Sequence, residues 1–289
     1  MFAEYARAGR WRVASPEQMM NELPFSATTP VSVGRVGLKA RDANRLADYY
    51  KAILGLTETR RSGNVIALSA GGRELLEIEE SAALKQDDPR SAGLFHTAFL
   101  LPTRADLARW ARFAMENRIG LDGASDHEVS EAMYLRDPEG NGIEIYADRP
   151  HETWRFTDGS VHMGTERLDF RNLLSQIHDD DAGWQGAPAG SVIGHVHLRV
   201  GDVDKAESWW NGEMGFDTML HYGNAAVFLS SGGYHHHIGA NIWQSAGAGP
   251  RAGDMTGLSF VELLSKDAQA EQEKRDPWGS VIRVLPAKG

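Results

Sequence analysis

No cysteine occurs among the 289 residues. That absence excludes disulfides, thiolate metal sites and a cysteine nucleophile, so any bound metal must rest on nitrogen and oxygen donors. Positive charge is in deficit, with 30 Lys and Arg against 40 Asp and Glu and a formal net charge of −10. A surface of that sign disfavours nucleic acid and anionic membrane as partners. No apolar run approaches the ~20 residues that a membrane helix needs. The N-terminal residues also lack the apolar segment of a signal peptide; they carry Arg7, Arg10 and Arg12 with Glu4 and Glu17. The expectation is a cytoplasmic protein with an N-terminal extension over residues 1–31. With 42% apolar residues, the rest has enough to bury one large or two ordinary cores.

What the sequence does contain is repetition. Val36-Gly-Leu-Lys-Ala-Arg-Asp42 reappears as Val196-His-Leu-Arg-Val-Gly-Asp202. Each is an alternating strand that runs into an Asp suited to capping a helix. Leu46, Tyr49, Tyr50, Ile53 and Leu54 then follow at helical spacing and Gly55 stops the helix; Val203, Ala206, Trp209, Trp210, Met214 and Gly215 repeat the pattern. Strand-like runs follow at Asn64–Leu68 and Leu75–Ile78, and again at Ala225–Leu229 and His235–Trp243. A further unit has a strand at Leu94–Leu101, a helix through Leu107, Trp110, Ala111, Ala114 and Met115, and a hairpin around Asp137-Pro-Glu-Gly140. That hairpin is echoed by Asp276-Pro-Trp-Gly279.

The chain thus reads as four modules, at about 32–80, 92–148, 191–243 and 255–286. Residues 32–150 form a first domain and 191–289 a second, joined by a polar linker at 151–190. The fourth module is short. Only eleven residues separate Leu264 from Asp276, where thirty-five separate Leu101 from Asp137, too few for a full helix and two strands.

This organisation resembles the vicinal oxygen chelate superfamily of glyoxalases, bleomycin resistance proteins and extradiol dioxygenases. The nearest likeness is to two-domain proteins of the catechol 2,3-dioxygenase type. The residues that carry it are Gly93-Leu-Phe-His96, Ser130-Glu-Ala-Met-Tyr134, Asp137 to Glu144, Ile193-Gly-His195-Val-His197 and Gly232-Gly-Tyr-His-His-His237. The resemblance implies an α+β fold of four βαβββ-type modules, the fourth truncated, forming two cup-shaped half-barrels. It also implies a metal in a cup between two modules, held by first-strand and last-strand residues. Carried over, these are His96, Glu144 and His195, two imidazoles and a carboxylate, the donor set of non-haem Fe(II) oxygenases. Fe(II) is the expected metal, with Mn, Ni or Zn as alternatives.

The matching positions elsewhere hold Arg35, Glu74 or Glu77, Phe260 and Arg283. The donor set is complete only if module two pairs with module three and module one with four. One live cup and one degenerate cup are therefore expected, with pairing in chain order or a domain-swapped dimer as alternatives.

Three further residues are assigned catalytic roles by the resemblance. Tyr134 stands ten residues before Glu144, and His127 precedes it as an acid/base, although its offset from Tyr134 departs from the family's by two residues. Within His235-His236-His237, strand alternation would send His235 and His237 into the cup and His236 to the opposite face, making His237 a fourth ligand or a base. His197 shares the face of His195, as a neighbouring group or a competing ligand. The leading expectation is an extradiol ring-cleaving dioxygenase acting on a catechol-like diol with O₂, and a homo-oligomer is open. A glyoxalase-type isomerase or lyase and a non-catalytic binder of metal or aromatic ligand are the alternatives.

Overall fold

Three of the expected modules open in the same way. The structure is a computed structural model that describes residues 23–287; most of the expected N-terminal extension, residues 1–22, lies outside the described residues. In module one β1 (Val31–Ala40) leads to α1 (Ala43–Leu54), then β2 (Thr57–Ser62), β3 (Val65–Ala70) and β4 (Arg73–Glu80). Module two contains β5 (Gly93–Leu100), α2 (Arg104–Glu116), β6 (Gly123–Asp126), β7 (Ser130–Arg136) and β8 (Gly142–Asp148). The linker is partly ordered into β9 (Phe156–Thr157), β10 (Ser160–Val161), β11 (Glu166–Arg167) and the short α3 (Phe170–Leu174). Module three has β12 (Val192–Arg199), α4 (Val203–Met214), β13 (Asp217–Tyr222), β14 (Ala226–Ser230) and β15 (Ile238–Asn241). Module four keeps β16 (Gly257–Ser265), β17 (Gln272–Arg275) and β18 (Val281–Pro286), with no helix.

Local chemistry explains the repeats. Asp42, Thr103 and Asp202 each accept a bond from the backbone N–H three residues on, capping α1, α2 and α4. Gly55 and Gly215 both take φ of 66° to end α1 and α4, a conformation that costs a side chain energy. The two Asp-Pro turns are built alike. Asp137 accepts from the N–H groups of Glu139 and Asn141 at 2.9 and 3.0 Å. Asp276 accepts from those of Trp278 and Ser280 at 2.9 and 2.8 Å.

The modules assemble crosswise. One seven-stranded sheet has the order β17-β18-β16-β1-β4-β3-β2, and a nine-stranded sheet has the order β11-β6-β7-β8-β5-β12-β15-β14-β13. Antiparallel β1 and β16 join modules one and four, while antiparallel β5 and β12 join modules two and three. The fold is α+β, two strand-rich half-barrels covered by helices on their outer faces. Leu46, Tyr50 and Leu54 of α1, Leu107 and Trp110 of α2 and Trp210 of α4 are buried in one continuous core with the sheets. Each large side chain buried there stabilises by about 1.5–3 kcal/mol.

One expected strand is shorter than its pattern. The run His235–Trp243 becomes regular only at Ile238. Gly232 and Gly233 before it take φ of 69° and 79°, and the chain turns there, so the three histidines lie on irregular backbone. The linker is likewise less of a tether than its composition suggests, because β11 pairs with β6 and extends the larger sheet.

Candidate active site

The register of the nine-stranded sheet builds the site. Glu144 on β8 lies beside Ala98 on β5, and Ala98 lies beside His195 on β12. Tyr134 on β7 pairs with Glu144 on its other side. A single row therefore crosses four strands as Tyr134, Glu144, Ala98, His195. Ala98, fully buried and small, leaves space over the row, and His96, two residues before it on the same face, leans into that space. Gly142, the neighbour of His96 in the ladder, allows this approach; a Cβ there would stand 2.9 Å from the His96 Cβ and 2.2 Å from the Phe95 carbonyl oxygen.

The result is a tight cluster of donors. His96 Nε2 lies 3.0 Å and His195 Nε2 3.1 Å from Glu144 Oε2, and the two nitrogens are 3.3 Å apart. Donors at adjacent corners of an octahedron with bonds of ~2.1 Å would be roughly 3 Å apart. The spacing thus suits one divalent ion with three donors on one face and open positions opposite. All three side chains are buried. Among the described residues they form the one group of three His, Asp or Glu donors close enough to share an ion.

Protonation is matched to that task. Burial brings the His195 imidazole down from its ordinary value to about 4, against the pull of Glu144 in the other direction. Its lone pair is therefore free at neutral pH. Burial alone would raise the Glu144 carboxyl, yet His195 and His96 beside it hold it well below the usual carboxylate range. A neutral imidazole and an ionised carboxylate are the forms that bind a metal.

The cluster opens into a cavity of about 440 Å³, within the range of small-molecule sites. Phe95, Ile143, Leu220, Phe228 and Trp243 give it apolar walls. Tyr134 and His127 line it too, with the Tyr134 hydroxyl 2.7 Å from His127 Nε2 and His127 Nδ1 2.7 Å from the Gly164 carbonyl. Burial, and then the nearby Glu144 charge, push the Tyr134 phenol well above its ordinary value, so it stays a proton-bearing donor. His197 lines the same cavity within a box of Phe95, Phe228 and Trp243. Its ring lies 5.0 Å from that of His96, but it is not one of the three converging donors.

The histidine run departs from expectation. His237 does not reach the cavity. It is fully buried, its Nε2 lies 2.9 Å from the Ser26 carbonyl and its Nδ1 3.0 Å from Ser230 Oγ. Burial lowers its imidazole to about 3. The residue expected on the opposite face, His236, lines the cavity instead, its ring 4.1 Å from that of His195. Strand alternation failed here because the run is not strand. His236 was thus missed as a site residue, and the paired glycines before the run were the available signal. His235 points behind the donors, with Nε2 3.0 Å from Asp148 Oδ1.

The other cup has been rebuilt. At its centre the Arg35 guanidinium pairs with Glu74, Glu77 and Glu262 at 2.7, 3.3 and 2.8 Å. Arg283 stacks 3.8 Å over the Phe260 ring. A fixed side-chain cation stands where carboxylates would otherwise need an ion.

Comparison with known proteins agrees with this architecture. The family model for the glyoxalase/bleomycin resistance protein/dioxygenase superfamily matches residues 32–145. The catechol-2,3-dioxygenase of Bacillus subtilis (strain 168) is 38% identical over 236 residues, spanning 80% of this chain and 82% of that protein. The biphenyl-2,3-diol 1,2-dioxygenase 3 of Rhodococcus globerulus is 33% identical over 82 residues, 27% of this chain and 43% of that one. Among solved structures, a putative dioxygenase from Bacillus subtilis subsp. subtilis str. 168 aligns with a TM-score of 0.59 at 12% identity, covering 90% of this chain and 86% of that one. Glyoxalase I from Zea mays aligns with a TM-score of 0.52 at 13% identity, covering 89% and 92%. At such identities the structural likeness concerns the fold. The long match to the Bacillus enzyme carries the relationship, and the chain belongs to the glyoxalase/bleomycin resistance protein/dioxygenase superfamily.

Proposed function

We propose that the protein is an Fe(II)-dependent extradiol dioxygenase that opens a catechol-like aromatic diol with O₂. The observation that carries this reading is the convergence of His96, Glu144 and His195 at one end of an apolar cavity that also presents Tyr134, His127 and His236. Similarity to an enzyme named catechol-2,3-dioxygenase supports it. Bound by the three donors, Fe(II) would supply the redox chemistry and the open positions for diol and O₂.

The chain's own residues then have separate tasks. His236, neutral because burial lowers its imidazole well below the ordinary value, takes a proton from a hydroxyl of the diol. Tyr134 brings its hydroxyl to the substrate side of the cavity, and His127, whose Nδ1 donates to the Gly164 carbonyl, holds that phenol in place at Nε2. Apolar walls exclude water from the reacting ring. A glyoxalase-type isomerase would be expected to use a further protein donor from the last strand of module three. With His237 turned away from the cavity, that reading is the weaker one.

The test is anaerobic loading of the metal-free protein with Fe(II), followed by catechol and air. Oxygen uptake matched by a yellow ring-fission product is expected. Tight metal binding with neither oxygen uptake nor change in the catechol would overturn the reading.

A further inference from the structure

A chain of largely buried polar groups links His195 to His236 behind the three donors, through Tyr146, Tyr234, Asp148 and His235, which the proposed chemistry does not use. His195 Nδ1 lies 3.2 Å from the Tyr146 hydroxyl. That hydroxyl lies 2.7 Å from the hydroxyl of Tyr234, which donates to Asp148 Oδ1 at 3.3 Å. On the other side of the same oxygen lies His235 Nε2 at 3.0 Å, and His235 Nδ1 is 2.8 Å from His236 Nδ1. Both tyrosines are fully buried, His235 is 1% exposed, and the Asp148 side chain is 16% exposed. Space for this chain is built into the backbone. A Cβ at Gly194 would stand 1.8 Å from the Tyr146 hydroxyl oxygen, so only glycine fits immediately before His195.

The chain has one acceptor-only group, the Asp148 carboxylate, and that sets the direction of every bond in it. Tyr234 gives its proton to Asp148, so it must accept from Tyr146. Tyr146 must in turn accept from Nδ1–H of His195. With its proton on Nδ1, His195 keeps its lone pair on Nε2, the atom that faces Glu144 and His96. In the second arm His235 gives its Nε2 proton to Asp148. With Nε2 as its donor, His235 offers Nδ1 as the acceptor for His236, which leaves the lone pair of His236 on its Nε2.

We propose that Asp148 is a positioning residue for two histidines at once, fixing His195 as an Nε2 metal donor and His236 as an Nε2 base. The proposal rests on the metal-dependent reading of the site, and it is tested without catechol or O₂. Outer hydrogen-bond partners of metal-bound histidines are typically worth 10–100-fold in metal affinity. The first measurement is the side-chain ¹⁵N spectrum of the unsubstituted, zinc-loaded protein, in which the two tautomers of a histidine have distinct shifts. His195 and His236 are both expected as Nδ1–H tautomers, and an Nε2–H signal for His236 overturns the proposal.

The second measurement is Zn(II) affinity by competition with a chromophoric chelator. Asp148→Asn and Tyr234→Phe are expected to weaken Zn(II) binding about tenfold or more, and His235→Gln to leave it within about twofold. Asp148→Asn and His235→Gln, but not Tyr234→Phe, are expected to disturb the His236 tautomer. Equal Zn(II) affinity in all three variants overturns the proposal, as does an equal loss in all three. Correct tautomers with no ring cleavage would uphold the positioning role and sink the dioxygenase reading instead.

Discussion

The Nε2 atoms of His96 and His195 stand 3.3 Å apart although the residues are 99 positions apart in the chain. They come from antiparallel neighbours, β5 and β12, that belong to different halves of the sequence. Both imidazoles press against the Glu144 carboxylate, and a buried carboxylate costs several kcal/mol to desolvate unless it is neutralised. A divalent ion between them removes that cost.

Metal removal is the first consequence. Divalent metal at about 100 times its dissociation constant should stabilise the protein by roughly 2.7 kcal/mol, and a chelator should reverse the gain. His96→Ala or His195→Ala should weaken binding by more than the ~100-fold upper range of outer-sphere changes. Calorimetric metal titration and thermal unfolding with and without chelator measure both effects. Unchanged affinity in either variant would contradict the assignment.

Tyr134 offers a cleaner separation of chemistry from binding. It sits next to Glu144 in the ladder, with its hydroxyl held 2.7 Å from His127 Nε2. Tyr134→Phe keeps the ring and loses the donor, so kcat should fall about 10²-fold or more while KM and metal affinity change little. His127→Gln should lower kcat by less, because the phenol remains. Steady-state kinetics with catechol and a metal titration on the same preparations decide this.

Low pH should unfold the metal-free protein early. The His237 imidazole is held near 3 by burial, below its ordinary ~6.5. Between those values the unfolded chain carries a proton that the folded one refuses. Its contribution to stability is therefore complete above about pH 6.5 and is lost as pH falls toward 3, at about 1.4 kcal/mol per pH unit. His195, lowered to about 4, acts in the same direction. Urea unfolding at pH 7, 6 and 5 should show a slope exceeding one proton, and His237→Gln should remove one proton's share. Stability independent of pH over that range would contradict it.

The degenerate cup should matter to stability alone. Arg35→Leu strands Glu74, Glu77 and Glu262, which now share one guanidinium. Removing one partner of a fully buried pair costs about 3–5 kcal/mol. Since the Arg35 side chain is 21% exposed, roughly 2 kcal/mol is expected, or a fall in Tm of several degrees. Metal affinity should be unaffected. A large change in metal binding would mean that the two cups communicate.

Much of this was legible in the sequence, for stated physical reasons. The repeats were legible because their caps and Asp-Pro turns are local interactions, and the family resemblance they support pointed to His96, Glu144 and His195. The crosswise pairing followed from the donors, since only modules two and three together complete the set. The histidine run misled because period-two alternation holds only in regular strand, and Gly232 and Gly233 turn the chain before His235. β2 gave no signal because every residue from Thr57 to Ser62 is exposed, so no apolar face marks it. The Tyr146–Tyr234–Asp148 chain joins residues that become neighbours only when modules two and three share a sheet.

Crosswise assembly also has a consequence for how the chain comes to be folded. Modules one and two together make neither sheet: β1 awaits β16, and β5 awaits β12. During synthesis each presents an open edge, a template for pairing with the wrong chain. Pairs as distant as Val31 and Ser265 close only when nearly all the sequence has been made, which favours slow folding. The three candidate donors meet earlier, when β12 docks on β5, so a nascent chain holds no complete site until module three has been made.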